Sequence, residues 1–244
     1  MIDPAPPAEG LSLFYPMYNE EQNIEEAVAS ARRILPPLTR EWEIIVVDDG
    51  SRDRTGAMAD ALAATDPRVR VVHHGTNRGY GSALRSGLAA ARHPWIFYTD
   101  GDNQFDLAEL SGFWASREEA DIIAGYRHPR RDSLLRRLNA VGYHLLCRLF
   151  LGVRERDVDC AFKLFRASAL AGMPLRARGA TIDLEILARA RRRGARVLER
   201  PVSHYPRRFG SQTGANPRVV ARAMGELLRL WWELRRSGGP PRAH

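Results

Sequence analysis

Short apolar runs alternate with helical spacings along the first half of the chain, and this alternation restricts the fold more than any other feature. Leu11–Tyr15, Trp42–Val47, Val69–His73, Trp95–Thr99 and Asp121–Ala124 read as strands. Between them, Glu20–Leu35, Thr55–Ala64, Gly79–Arg92 and Leu107–Arg117 read as helices. In the first helix Ile24, Ala27, Val28, Ala31 and Ile34 keep helical spacing, and Pro36-Pro37 is expected to end it. A β-α-β-α order predicts an α/β fold, a mostly parallel sheet with helices on both faces. Ligands of such sheets bind beyond the carboxyl ends of the strands. Three polar clusters fall there: Pro16–Glu20, Asp48–Ser51 and Asp100–Asp102. After residue 125 the pattern loosens. Leu134–Leu151 reads as a helix, Cys160–Phe165 as a strand, Ile182–Arg193 as a helix and Arg196–Glu199 as a strand. A polar loop, His204–Gly214, precedes a last helix from Pro217 to about Arg236. The expected division is a domain over residues 1–215, an amphipathic helix over 216–236 and a disordered tail over 237–244.

The run Trp95-Ile-Phe-Tyr-Thr-Asp100-Gly101-Asp102-Asn-Gln104 carries the most chemistry. Two carboxylates one residue apart repel in an apolar setting and raise each other's pKa. At a strand end, with Gly101 between them, they can turn toward one hard cation, with the Gln104 amide oxygen as a further ligand. A divalent ion held this way neutralises a diphosphate leaving group. The plain alternative is a solvated acidic turn, so the companions of this run decide.

Asp48-Asp49-Gly50-Ser51 ends the second strand, where carboxylates can accept from a base ring or a ribose. Ser51 or Asp53 could instead cap the following helix. Pro16-Met17-Tyr18-Asn19-Glu20 could place an aromatic ring and a carboxylate around a nucleoside, or Asn19 could simply cap a helix. Asn77-Arg78-Gly79-Tyr80-Gly81 has the glycines of a close backbone turn, a weak signal alone.

Charge is uneven. Residues 1–120 hold 11 basic and 19 acidic side chains, a net −8, whereas residues 121–244 hold 26 and 10, a net +16. The acidic part carries the candidate metal ligands, and the basic part suits phosphates or an anionic surface. Lys163 is the single lysine among 37 basic residues. A sequence pI near 10.1 admits nucleic-acid binding. The asymmetry, the missing nucleic-acid motifs and the ordered acidic clusters argue against such a partner. Cys147 and Cys160 lack metal-ligand spacing and read as buried thiols. Residues 1–10 lack the basic–apolar pattern of a secretory signal, and no apolar run approaches the ~20 residues that span a bilayer. A cytoplasmic location is expected.

Taken in order, these motifs resemble the family 2 glycosyltransferases, and within them the dolichol-phosphate mannose synthase group. The resemblance rests on Pro16-x-Tyr18-Asn19-Glu20, Asp48-Asp49-Gly50-Ser51-x-Asp53-x-Thr55, Asn77-x-Gly79-x-Gly81 and Asp100-x-Asp102-x-Gln104. Gly125-Tyr126-Arg127, Asp157-Val158-Asp159-Cys160-Ala161-Phe162-Lys163 and Pro201-Val202…Arg207…Gly210 follow in family order. It covers roughly residues 11–215. The resemblance implies a GT-A fold moving a sugar, mannose from GDP-mannose, to a polyprenyl or dolichyl phosphate with inversion. It implies that Pro16, Tyr18, Glu20, Val47 and Asp49 line the nucleoside. It implies that Asp100, Gly101 and Asp102 meet the ribose, the diphosphate and Mg²⁺ or Mn²⁺, with Asp100, Asp102 and Gln104 as metal ligands. Arg127 and Arg207 would hold phosphate groups, which makes Asp100, Asp102 and Arg127 the catalytic set. The chain departs from the family at Thr213, where Lys is expected, and at Ala140-Val141, where a Ser-Arg pair is expected. Arg136 and Arg137, one helical turn earlier, would take the acceptor phosphate.

A phosphate monoester acceptor, with a second pKa of about 6, needs no strong general base. A soluble hydroxyl acceptor, the alternative, would need one. Asp183 and Glu185 are the candidates, and their spacing is expected to point at most one of them inward. The last helix carries Val219, Val220, Ala223, Met224, Leu227, Leu228, Leu230, Trp231 and Leu234 on a broad apolar side flanked by arginines. It reads equally as a helix packed on the domain and as one lying on a membrane or a membrane partner, peripheral to the cytoplasmic face.

Overall fold

The computed structural model describes residues 9–128, 147–209 and 217–236, with main chain only over 217–222. The described residues form a seven-stranded sheet in the order β3-β2-β1-β4-β6-β5-β7. The strands are β1 Gly10–Met17, β2 Glu41–Asp48, β3 Val69–His73, β4 Trp95–Thr99, β5 Ile122–Arg127, β6 Phe162–Arg166 and β7 Val197–Val202. All neighbouring pairs are parallel except the two that β6 makes, with β4 and with β5. The helices are α1 Ile24–Leu38, α2 Thr55–Thr65, α3 Tyr80–Ala90, α4 Leu110–Ala115, α5 Ala167–Leu170, α6 Thr181–Arg192 and α7 Pro217–Arg236.

Strand periodicity of two sorts the side chains into two cores. Leu11, Leu13, Ile44, Val46, Trp95 and Phe97 face one side, where α1 and α4 cover them. Phe14, Ile45, Val47, Ile96 and Tyr98 face the other, under α3, α6 and α7. A fully buried side chain of this kind contributes about 1.5–3 kcal/mol relative to its exposed state. The predicted α/β sheet with helices on both faces is therefore present. Cys147 and Cys160 are both buried, as expected.

Local boundaries differ from the periodicity in instructive places. The first helix starts at Ile24 rather than Glu20, because residues 20–23 form a turn in which Asn23 N donates to Glu20 O at 2.9 Å. Asn19 caps no helix. It sits at φ +56°, and its amide oxygen accepts from Arg52 N at 2.8 Å. Pro36 and Pro37 do not end α1 but lie inside its last turn. Both are exposed, and the fixed proline φ suits a helix. Of the predicted helix Leu134–Leu151, only residues 147–151 are described, and they are helical. The predicted tail 237–244 lies outside the described residues.

Candidate active site

Parallel strands β1, β2 and β4 bring their carboxyl ends to one edge of the sheet. Pro16 pairs with Val47 and Met17 with Asp48 across β1 and β2, so the first two clusters start side by side. Backbone-directed bonds then join the two loops. Asn19 N donates to Ser51 Oγ at 3.0 Å, Glu20 N to Thr55 Oγ1 at 2.8 Å and Glu21 N to Asp53 Oδ2 at 3.2 Å. Asn103 Nδ2 donates to the carbonyl of Asn23 at 3.0 Å, which ties in the third cluster. Gly101 lies against Met17, where an added Cβ would stand 2.6 Å from Met17 Cε. A side chain there would have to displace the end of Met17.

Asp100 and Asp102 face this edge. Burial pushes the Asp100 carboxyl up to about 8, and the charge of Asp102 adds to the rise. Burial also raises Asp102, and Glu20 adds to it, while the Gln104 amide and Arg207 offset part of the effect. Arg207 comes from the segment after β7. Its guanidinium pairs with Glu20 and lies 3.6 Å from Asp102 Oδ2. Gln104 is buried, and its Nε2 donates to Tyr205 O at 2.8 Å, which leaves its amide oxygen as the acceptor.

The half-buried Asp100 and the buried Asp102, with the Gln104 amide oxygen two residues on, offer hard oxygen donors of the kind that would suit a small divalent cation. Among the described residues no three His, Cys, Asp or Glu side chains form a ready metal cage. A cation here would therefore draw its remaining ligands from substrate phosphate oxygens and water, the usual situation for Mg²⁺.

The remaining predicted residues divide between the edge and the scaffold. Pro16 is buried, Tyr18 is 38% exposed and Glu20 is half-buried. The Val47 side chain belongs to the second core, so only its main chain is left to a ligand. Asp49 is buried and shapes the next loop. It pairs with His74 Nδ1 at 2.6 Å and accepts from Arg78 N and Gly79 N, both at 2.9 Å. That loop seats on residues 177–178, and a Cβ at Gly81 would stand 2.4 Å from Ala177 O. Arg127 is engaged in a bidentate pair with buried Asp157, at 2.7 Å through both Nε and Nη2. Arg136, Arg137, Ala140-Val141 and Thr213 lie outside the described residues.

Asp183 and Glu185 overturn the expectation that at most one of them turns inward. Both are buried, at 1% and 2% exposure, because α6 is enclosed over residues 181–190. Asp183 pairs with Lys163 at 2.7 Å and accepts from Tyr98 Oη. Glu185 accepts from Arg176 N and Ala177 N at 2.8 and 2.7 Å and pairs with Arg189. Both carboxylates are thus taken up by structural partners.

Lys163 escaped the sequence-based site. It is fully buried and also donates to Val158 O at 3.0 Å and to Tyr98 Oη at 3.2 Å. Tyr80 lies within electrostatic reach of both Asp100 and Asp183, between this group and the edge. Two signals were available, since it is the single lysine of the chain and it closes the Asp157–Lys163 motif.

This architecture recurs in solved structures. The glucosyl-3-phosphoglycerate synthase from Mycobacterium tuberculosis, in complex with Mn²⁺, uridine diphosphate and phosphoglyceric acid, superposes with a TM-score of 0.66 at 22% identity. The match covers 90% of this chain and 78% of that one. S. aureus TarS 1-349 with UDP-GlcNAc gives 0.64 at 18% identity, over 91% and 66%. The fold is the GT-A fold of nucleotide-diphospho-sugar transferases. The glycosyl transferase family 2 model matches residues 12–172, and the chain belongs to that family.

Among its relatives, the glycosyltransferase AglD of Haloferax volcanii is 32% identical over 238 residues, 92% of this chain and 37% of that protein. The dodecaprenyl-phosphate galacturonate synthase of Rhizobium johnstonii is 32% identical over 169 residues, 68% of this chain and 50% of that protein. The undecaprenyl-phosphate 4-deoxy-4-formamido-L-arabinose transferase of Pectobacterium atrosepticum is 31% identical over 210 residues, 83% and 62%. The chain therefore spans less than two thirds of the length of these curated relatives.

Proposed function

We propose that the chain transfers a sugar from a nucleotide-sugar, GDP-mannose in the first instance, to a polyprenyl phosphate. The observation that carries the reading is the pair Asp100–Asp102 at the sheet edge, which the protein's own side chains leave incompletely neutralised. The names of the relatives from R. johnstonii and P. atrosepticum supply the acceptor class, a polyprenyl phosphate.

In this reading the acceptor phosphate oxygen forms a bond to the anomeric carbon from one face, while the bond to the diphosphate oxygen breaks on the other. The configuration inverts. Mg²⁺ or Mn²⁺ held by Asp100, Asp102 and Gln104 would supply charge neutralisation to the departing diphosphate. Arg207 stands between Glu20 and Asp102 and would turn toward the same phosphates. Arg127, fixed on Asp157, would hold another phosphate group, and Arg136 and Arg137 the acceptor. Pro16, Tyr18, Glu20, Asp49 and the main chain at Val47 would border the nucleoside. The acceptor arrives already anionic, so the commitment of Asp183 and Glu185 to structural partners does not impede the reaction. A hydroxyl acceptor would need a base that neither of them supplies.

The test is product formation from a panel of GDP- and UDP-sugars with Mg²⁺ or Mn²⁺, with and without a polyprenyl phosphate, and with Asp102→Ala as control. A glycolipid that requires the lipid phosphate and disappears in the variant is the expected result, and the panel names the donor. Donor hydrolysis without lipid product would move the acceptor to a hydroxyl compound. Failure to bind any nucleotide-sugar would end the proposal.

A further inference from the structure

Helix α7 is apolar on two sides. Leu227, Leu230 and Leu234 are buried, at 1%, 5% and 4% exposure, and join the second core. Met224, Leu228 and Trp232 stand in solvent, at 37%, 49% and 53%. Spacings of four residues align these three along one line of the helix. A helix that served only to cover the core would carry polar side chains there. The sequence pattern offered packing and membrane contact as alternatives, and the structure leaves room for both on the same helix.

The surroundings of the exposed line are cationic. Arg236 lies over the Trp232 ring at 3.8 Å and Arg235 over Trp231 at 4.3 Å. A groove of about 430 Å³ runs beside Trp232 and is lined by Arg176, Arg189, Arg229 and Arg236 against one acid, Glu233. Leu149, at 70% exposure, neighbours Phe150, which packs edge-on against Trp231. Arginines at an indole-bearing apolar stripe match a surface that is negative outside and oily within. Interfacial helices have this composition, and an anionic leaflet attracts each nearby Arg. Nucleic acid would use the arginines but not the Met224–Leu228–Trp232 line. Among the described residues no helix is long and apolar enough to cross a membrane, so contact here would be along the surface.

We infer that the outer face of α7 docks on an anionic lipid bilayer, with Met224, Leu228 and Trp232 at the acyl boundary and Arg229, Arg235 and Arg236 on lipid phosphates. The inference extends the lipid-acceptor reading to the surface where such an acceptor would be met. Its test uses vesicles without polyprenyl phosphate or donor sugar, so its failure is distinct from failure of that reading. The full chain is floated with phosphatidylcholine vesicles, with and without phosphatidylglycerol, over a range of salt. Binding at least about tenfold tighter to the anionic vesicles is expected, equivalent to about 1.4 kcal/mol. Leu228→Glu combined with Trp232→Glu should remove it, with an unchanged circular dichroism spectrum and unfolding midpoint. Arg235→Gln with Arg236→Gln should lower only the salt-sensitive part. Absence of binding to either vesicle, or binding untouched by the Glu variants, overturns the inference. So does a solution dimer that Leu228→Glu dissociates, which would assign the face to a second copy.

Discussion

At the end of β4, Asp100 and Asp102 stand two positions apart in the chain, and their own surroundings raise both carboxyls. Two residues earlier in the same chain, Tyr98 reaches Asp183, an acid more deeply buried than either, which a lysine meets at 2.7 Å. The second group is complete. Lys163 gives its hydrogens to Asp183, to Tyr98 and to main-chain carbonyls, and it ties β6 to α6. The first is left with a deficit of positive charge that Arg207 only partly offsets. A protein keeps repelling carboxylates at a sheet edge at a cost in stability, and a ligand that brings positive charge removes that cost. The complete cluster reads as scaffold and the incomplete one as the ligand site.

Four measurements can break or sharpen this contrast. The largest effect is expected at Lys163. Lys163→Met leaves Asp183 buried without its partner and should cost about 3–5 kcal/mol in urea unfolding. An unchanged midpoint would remove the scaffold role. Asp102→Asn should do the opposite, lowering turnover roughly 10²–10³-fold with stability equal to or above that of the parent. A large loss of stability would make the edge structural too.

The pH dependence follows from Asp100. Its folded pKa, about 8 against an ordinary 3.8, means that the folded state binds the extra proton between those values. Without metal, stability should therefore fall as pH rises from about 4 to about 8. Asp100→Asn should flatten that slope, and Mg²⁺ or Mn²⁺ should reduce it in the parent. A slope that both leave unchanged would detach it from this carboxyl.

The smallest effect concerns the loop that Asp49 shapes. Gly81→Ala should destabilise by about 1–3 kcal/mol, because the new methyl meets the main chain at Ala177 and Arg178. Little loss would show that the loop seats loosely.

Much of the edge was legible in the sequence because parallel connectivity has one consequence for strand ends. Once Leu11–Tyr15, Trp42–Val47 and Trp95–Thr99 read as strands of one parallel sheet, their carboxyl ends had to share an edge, and the acidic clusters had to share it with them. Asp49 was read from the sequence as a nucleoside contact, whereas the partners it has in the fold, His74 and the amides of Arg78 and Gly79, come from a loop that no local pattern connects to it. Arg207 is more than a hundred positions from Asp102, and the geometry that sets it between Asp102 and Glu20 depends on where β7 ends.

The helical acids show where local reasoning stops. On one helix, Asp183 and Glu185 point about 200° apart, so a helix with a single buried face hides only one of them. Helix α6 is enclosed all round, a property of its neighbours rather than of its own residues. The order of strands and helices, the two-faced sheet and the acidic edge followed from the sequence by itself, because hydrophobic periodicity and chain direction are local and act additively. Tertiary structure decided which charges are neutralised, that Lys163 completes one cluster, that Asp100 and Asp102 remain open, and that α7 shows one apolar side to the core and another to solvent. Burial and pairing depend on what arrives from distant parts of the chain, and no stretch of sequence contains its own surroundings.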